Sequence, residues 1–153
     1  MATTKKTAAK KTTTKKSSDN LSDAEREALQ ERVAENRKAK GGKTDGAADV
    51  RAKIAEMSDA DRAIAERIDE IVMATVPDVV PRTWYGMPAY AKGGKVVCFF
   101  QGADKFGARY ATLGFNDSAQ LDDGAIWPTA YAIVELGAEQ EKQIVELVKR
   151  AFG

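Results

Sequence analysis

The residues Val96-Val97-Cys98-Phe99-Phe100 are apolar on both faces of any strand they form, and Gly93-Gly94 stands just before them. A strand apolar on both sides belongs in the middle of its sheet, with a helix covering one face. Immediately upstream, Trp84-Tyr85-Gly86-Met87-Pro88-Ala89-Tyr90 brings bulky aromatics, a glycine and a proline to the entrance of that sheet. Such a composition suits a binding surface or a packed corner, and it is the signature of no reaction.

The pattern around this strand sets the fold class. Ala91-Lys92-Gly93-Gly94 predicts a hairpin turn joining a short strand over Pro88–Ala91 to the strand Lys95–Gln101. After a loop at Gly102–Gly107, further strands are expected over Ala108–Phe115 and Thr129–Val134, separated by the polar connection Asn116–Gly124. Upstream, Ile64, Ile68, Ile71 and Val72 form a helical apolar stripe, and Ser58-x-x-Asp61 has the spacing of a cap. A short helix over Ala48–Met57 precedes this one, which stops before Pro77, and Pro81 keeps the next connection extended. A last helix, Ala138–Phe152, presents Ile144, Leu147, Val148 and Ala151 on one face. Short strands joined by short turns imply an antiparallel meander, and helices on either side make the class α+β.

The N-terminal part reads differently. Residues 1–18 carry six lysines and no acid, so the remaining chain holds 18 basic residues against 23 acids, a net −5. The doublets Lys5-Lys6, Lys10-Lys11 and Lys15-Lys16 repeat at a spacing that fits neither helix nor strand, among side chains too small to bury, which predicts disorder. A helix is expected from Ser22, where Ser22-x-x-Glu25 has capping-box spacing, until Gly41-Gly42 ends it. Acids at its start and Arg37, Lys38 and Lys40 near its end suit the helix dipole. Its apolar face is only Leu21, Leu29, Val33 and alanines, so it should be loosely docked or exposed. The expected organisation is a disordered lysine-rich tail at 1–20, an exposed helix and linker at 21–46, and an α+β domain at 47–153.

Composition removes several chemistries. The chain has no histidine, and Cys98 is its sole cysteine. A Ser-His-Asp or Cys-His site and a histidine-ligated zinc or iron centre cannot be built. No intramolecular disulfide can form, which fits a reducing cytosol. No apolar run approaches a membrane span and no signal-peptide pattern is present, so a soluble cytoplasmic protein is expected.

From about Val50 to Phe152 the sequence resembles the YdhG-like domain family. The resemblance rests on Trp84-Tyr85-Gly86-Met87-Pro88-Ala89-Tyr90, the strand entry Gly94-Lys95-Val96-Val97 and Arg109-Tyr110-Ala111-Thr112-Leu113-Gly114-Phe115, with Leu121-Asp122-Asp123-Gly124 and Trp127-Pro128. It implies an antiparallel sheet flanked by N- and C-terminal helices. Some members are described as frataxin-like iron chaperones, which implies transient iron as cargo and an iron-acceptor protein as partner. The lysine tail and the helix from Ser22 lie outside the resemblance.

Three sets of residues are candidates for function. Trp84, Tyr85, Met87, Arg109 and Trp127 are candidates for a ligand pocket; the competing expectation is that Trp84, Tyr85, Tyr90 and Trp127 are core packing. Asp117, Asp122 and Asp123 offer hard oxygen ligands for a cation, with Glu66, Asp69 and Glu70 as a further acidic face. The competing reading of Asp122-Asp123-Gly124 is a plain turn. Lys5, Lys6, Lys10, Lys11, Lys15 and Lys16 can neutralise nucleic-acid phosphates without sequence preference, or serve only as a solubilising extension. Cys98, inside the apolar strand, is expected to be a buried and inert thiol. No nucleophile stands beside a base, and no glycine-rich phosphate loop has the strand-to-helix context it needs. The expected function is therefore a non-enzymatic binding module, read first as a weak iron carrier. The alternatives are a nucleic-acid-associated protein tethered by its tail, and an organic-ligand pocket around Trp84, Tyr85 and Trp127.

Overall fold

The computed structural model describes residues 21–40 and 45–153. Three helices, α1 (Asp23–Lys40), α2 (Gly46–Ala55) and α3 (Asp59–Thr75), precede the strands β1 (Val80–Trp84), β2 (Met87–Lys92) and β3 (Lys95–Gln101). A 3-10 turn at Asp104–Phe106 leads to β4 (Ala111–Phe115), β5 (Ala130–Ile133) and the terminal helix α4 (Ala138–Phe152). The strands lie in chain order β1-β2-β3-β4-β5, every neighbouring pair antiparallel. The fold is the expected α+β meander with helices at both ends, and the doubly apolar strand β3 occupies its centre.

Directly paired residues of neighbouring strands share a face, so the register separates the sheet into two sides. Tyr90 pairs with Cys98, Cys98 with Phe115, and Phe100 with Leu113. These side chains are buried in one core with Val50 and Ile54 of α2, Ile68 and Val72 of α3, and Ile144 and Val148 of α4. The opposite face carries Arg82, Ala89, Phe99, Gly114 and Ala130, matched across the strands in that order. There the Phe99 ring lies over Gly114, where a Cβ would meet its Cζ at 2.2 Å, and Trp84 packs beside Phe99 with ring centroids 5.1 Å apart.

Local chemistry accounts for most element ends. Ser22 and Glu25 form the reciprocal capping box, Glu25 N donating to Ser22 Oγ and Ser22 N to Glu25 Oε2. Ser58 caps α3 by accepting from Asp61 N. Gly93 and Gly94, with φ of +59° and +77°, supply the two left-handed residues that a tight hairpin between β2 and β3 requires.

Three expectations need correction. The stretch around Pro81 is a paired strand and not a bare extended connection: β1 is the sheet edge, where a proline lacking an N–H is tolerated. The strand expected from Ala108 begins only at Ala111. Helix α2 starts at Gly46 because Asp45, whose side chain accepts from Ala48 N at 3.2 Å, caps it earlier than the sequence pattern suggested. Gly46 is also pressed on β1, since a Cβ there would lie 2.0 Å from the Pro81 carbonyl oxygen. The lysine tail, with Lys5, Lys6, Lys10, Lys11, Lys15 and Lys16, and the linker at 41–44 lie outside the described residues. Among the described residues no helix is long and apolar enough to cross a membrane.

Candidate functional site

Helix α1 holds the key to the site, and it is attached by charge. Its apolar residues Leu29 and Val33 are 47% and 52% exposed, as its thin apolar face led us to expect. Its acids, by contrast, are inserted. The turn between β1 and β2 puts Tyr85 and Gly86 in left-handed conformations, φ +52° and +75°, so that both backbone N–H groups point the same way. They donate to the two oxygens of Glu35, Tyr85 N to Oε2 at 3.1 Å and Gly86 N to Oε1 at 2.9 Å. The Glu35 side chain is only 10% exposed and is also paired with Arg32 at 3.6 Å. The Arg32 guanidinium in turn lies 5.2 Å from the Tyr85 ring centre.

One turn earlier, Glu31 accepts from Lys53 Nζ of α2 at 2.8 Å and pairs with Lys105 at 3.5 Å. Lys53 also reaches Glu56 at 3.3 Å, and Lys105 lies 4.0 Å from Glu27. Burial works against the charge on Lys53, but hydrogen bonds and attraction from Glu31 and Glu56 outweigh it and raise the pKa, so this lysine stays protonated. The expected exposed helix is thus seen, but its docking is specific: α1 is held through Glu31 and Glu35, which a search for apolar periodicity passes over.

Beneath α1 lies a cleft of about 510 Å³, bounded by the α2–α3 junction, the open end of the β2–β3 hairpin and the 3-10 turn. Met57, Met87 and Phe106 form its apolar walls and Phe100 its floor, while Glu27, Glu56, Lys53 and Lys105 stand at the rim. Inside is Asp61, the only buried charged residue among those described, at 5% exposure. Its Oδ2 accepts from Asp104 N at 2.9 Å, stitching α3 to the 3-10 turn. Gly102 permits this approach, because a Cβ at that position would come within 2.9 Å of the same oxygen. In the sequence Asp61 looked like a routine cap residue, and its burial depends on Gly102 and Asp104 arriving from the loop after β3.

The residues singled out from sequence do not share one pocket. Met87 alone lines the cleft. Trp84 and Tyr85 meet edge to face, centroids 4.8 Å apart, and Trp84 borders a separate groove with Arg32, Arg82 and Lys95. Trp127 lies in another groove beside Phe115 and Leu121. Arg109 lies 5.5 Å from the Tyr110 ring centre. Tyr90 is fully buried and its hydroxyl donates to Asp69 Oδ1 at 2.8 Å. Burial, then the nearby Asp69 carboxylate, pushes the Tyr90 pKa up.

The acidic candidates are similarly dispersed. Asp117 and Asp122 border the Trp127 groove and Asp123 is exposed. Asp69 is engaged by Tyr90, and Glu70 is paired with Arg67, which also binds Glu141 at 2.7 Å. Among the described residues no group of three or more Cys, Asp or Glu gathers closely enough to hold a metal ion. Cys98 is buried in β3, and burial pushes its thiol up to about 12, which keeps it protonated and unreactive at neutral pH.

Comparison with protein-family models, with curated proteins and with solved structures finds no match.

Proposed function

We propose that this chain is a non-enzymatic binding module whose ligand occupies the cleft beneath α1. The observation that carries this reading is the cleft itself: about 510 Å³ with methionine and phenylalanine walls around a single buried carboxylate. Small-molecule sites pair apolar walls with fixed polar groups, and this volume falls within their usual range; here the polar groups are numerous, with Glu27, Lys53, Glu56 and Lys105 around the rim. The reading as a binder and not a catalyst draws on the chemistry of the lining. The cleft hydroxyl, Ser58 Oγ, is used to cap α3. The two groups driven hardest toward their neutral forms, Tyr90 and Cys98, are buried in the core and do not line the cleft.

The YdhG-like family reading is supported by the agreement of fold, a meander sheet between N- and C-terminal helices. The iron-carrier role that the resemblance implies has no three-carboxylate group behind it among the described residues, and would rest on Asp117, Asp122 and Asp123. The nucleic-acid reading depends on lysines outside the described residues.

Mapping a mixture of small aromatic and aliphatic probe compounds by amide NMR tests the proposal. Saturable shifts should concentrate at Ser58, Asp61, Gly86, Gly102 and Lys105. Shifts centred on Trp84 and Phe99, or on the Trp127 groove, would place binding elsewhere and end this reading.

A further inference from the structure

We propose that the cleft selects a small organic cation, an ammonium group on an apolar body, with the ammonium on Asp61 and the body between Met57, Met87 and Phe106. This rests on the cleft being the ligand site and concerns the chemistry of what enters it.

The first observation is the state of the Asp61 carboxylate. It is 5% exposed, and Oδ2 is taken up by Asp104 N. Among the described residues no donor reaches Oδ1 and no cation pairs with the carboxylate. Oδ1 is thus left open to the cleft, where a cationic donor can bond the carboxylate directly.

The second is that the lysines nearby are already spoken for. Lys53 is held between Glu31 and Glu56, and Lys105 between Glu31 and Glu27. Neither is free to neutralise Asp61, and an anionic ligand would have to break these pairs while facing Asp61 and Asp104. Glu31 Oε2, buried against Gly86, has no donor among the described residues and adds negative charge at the cleft wall. Four carboxylates (Glu27, Glu56, Asp61 and Asp104) thus line the space against two lysines, with Glu31 behind Gly86.

The third is the apolar lining. A fully hydrated metal ion gains nothing from methionine and phenylalanine walls. An alkyl or aryl ammonium buries its carbon against Met57 and Met87, and its charge is further favoured by the face of an aromatic ring such as Phe106.

Titrating the full chain by amide NMR with 2-phenylethylammonium, the near-isosteric 2-phenylethanol and 3-phenylpropanoate tests the class directly. The ammonium should shift Asp61, Gly102 and Asp104 saturably and bind at least about tenfold tighter than the alcohol, the scale of one charge-assisted hydrogen bond. Asp61→Asn preserves an acceptor for Asp104 N and should erase that preference. If this variant fails to fold, the wild-type ratio of ammonium to alcohol still decides. Equal binding of alcohol and ammonium, or tighter binding of the carboxylate at the same amides, overturns the cation proposal while leaving the cleft as the site. No shift at these amides from any of the three overturns both.

Discussion

Glu35→Ala removes the acceptor that two backbone N–H groups share, and the structure sets the size of the effect. The Glu35 carboxylate is nearly buried, and its partners Tyr85 and Gly86 are held at positive φ. A hydrogen bond to a charged group contributes about 1.5–3 kcal/mol. Two bonds to one carboxylate are not additive, so a loss of about 2–4 kcal/mol is expected at this contact. Little else holds α1 down, since Leu29 and Val33 are about half exposed and the pairs of Glu31 with Lys53 and Lys105 are only partly buried. The helix should therefore detach locally before the domain unfolds. Hydrogen exchange read by mass spectrometry over residues 23–38 should accelerate about 30-fold or more, the factor matching about 2 kcal/mol. Protection in α3 and α4 should stay as in the wild type. Glu35→Gln, which offers one carbonyl oxygen and sets an NH2 against the second N–H, should fall between. Added salt should speed α1 exchange in the wild type by weakening the Glu31 and Glu27 pairs. If Glu35→Ala keeps α1 protection within about threefold of wild type, attachment by charge is refuted.

Gly46→Ala sets two principles against each other: alanine gains up to about 1 kcal/mol of helix propensity, yet its Cβ would lie 2.0 Å from the Pro81 carbonyl oxygen. The clash should win, lowering the urea midpoint, whereas a rise would refute the close approach of α2 to β1. Tyr90→Phe leaves Asp69 without its donor and should cost about 1–2 kcal/mol in urea unfolding. Alkaline pH should destabilise the protein, because Cys98 and Tyr90 bind their protons more tightly folded than unfolded. That stabilisation is complete below the ordinary thiol value of 9.0 and is lost as pH rises toward the folded value of about 12, with Tyr90 acting in the same direction. Thermal melts between pH 8 and 11 should show a fall that shrinks in Tyr90→Phe. Finally, Cys98 should resist a thiol reagent at neutral pH until denaturant is added, and rapid labelling of the native protein would contradict its burial.

The strongest signals in the chain were local ones. The doubly apolar Val96–Phe100 put β3 at the sheet centre, Gly93-Gly94 made the hairpin, and Ser22 and Ser58 capped their helices as their spacing required. The stripe on α4 came out buried at Ile144, Val148 and Ala151. Pro81 misled because proline speaks against a strand in general, while an edge position, a property of the whole sheet, removes the objection. The pocket candidates failed to converge for a related reason. The two-residue turn at Tyr85-Gly86 pairs Trp84 with Met87 and Pro81 with Tyr90, so Trp84 and Tyr90 point to opposite sides of the sheet.

What the sequence determined by itself is the set of elements and their order, because caps, turn dihedrals and apolar periods are fixed within a few residues of where they act. What the tertiary structure alone decided is the site. Glu31 meets Lys53 across 22 positions, Asp61 meets Asp104 across 43, and Glu35 meets Gly86 across 51. None of these acids differs, in sequence, from one on a solvated helix face. A carboxylate's role depends on whether the folded chain brings it a donor and excludes water around it, and only the packing of α1 and α3 against the end of the β2–β3 hairpin does both.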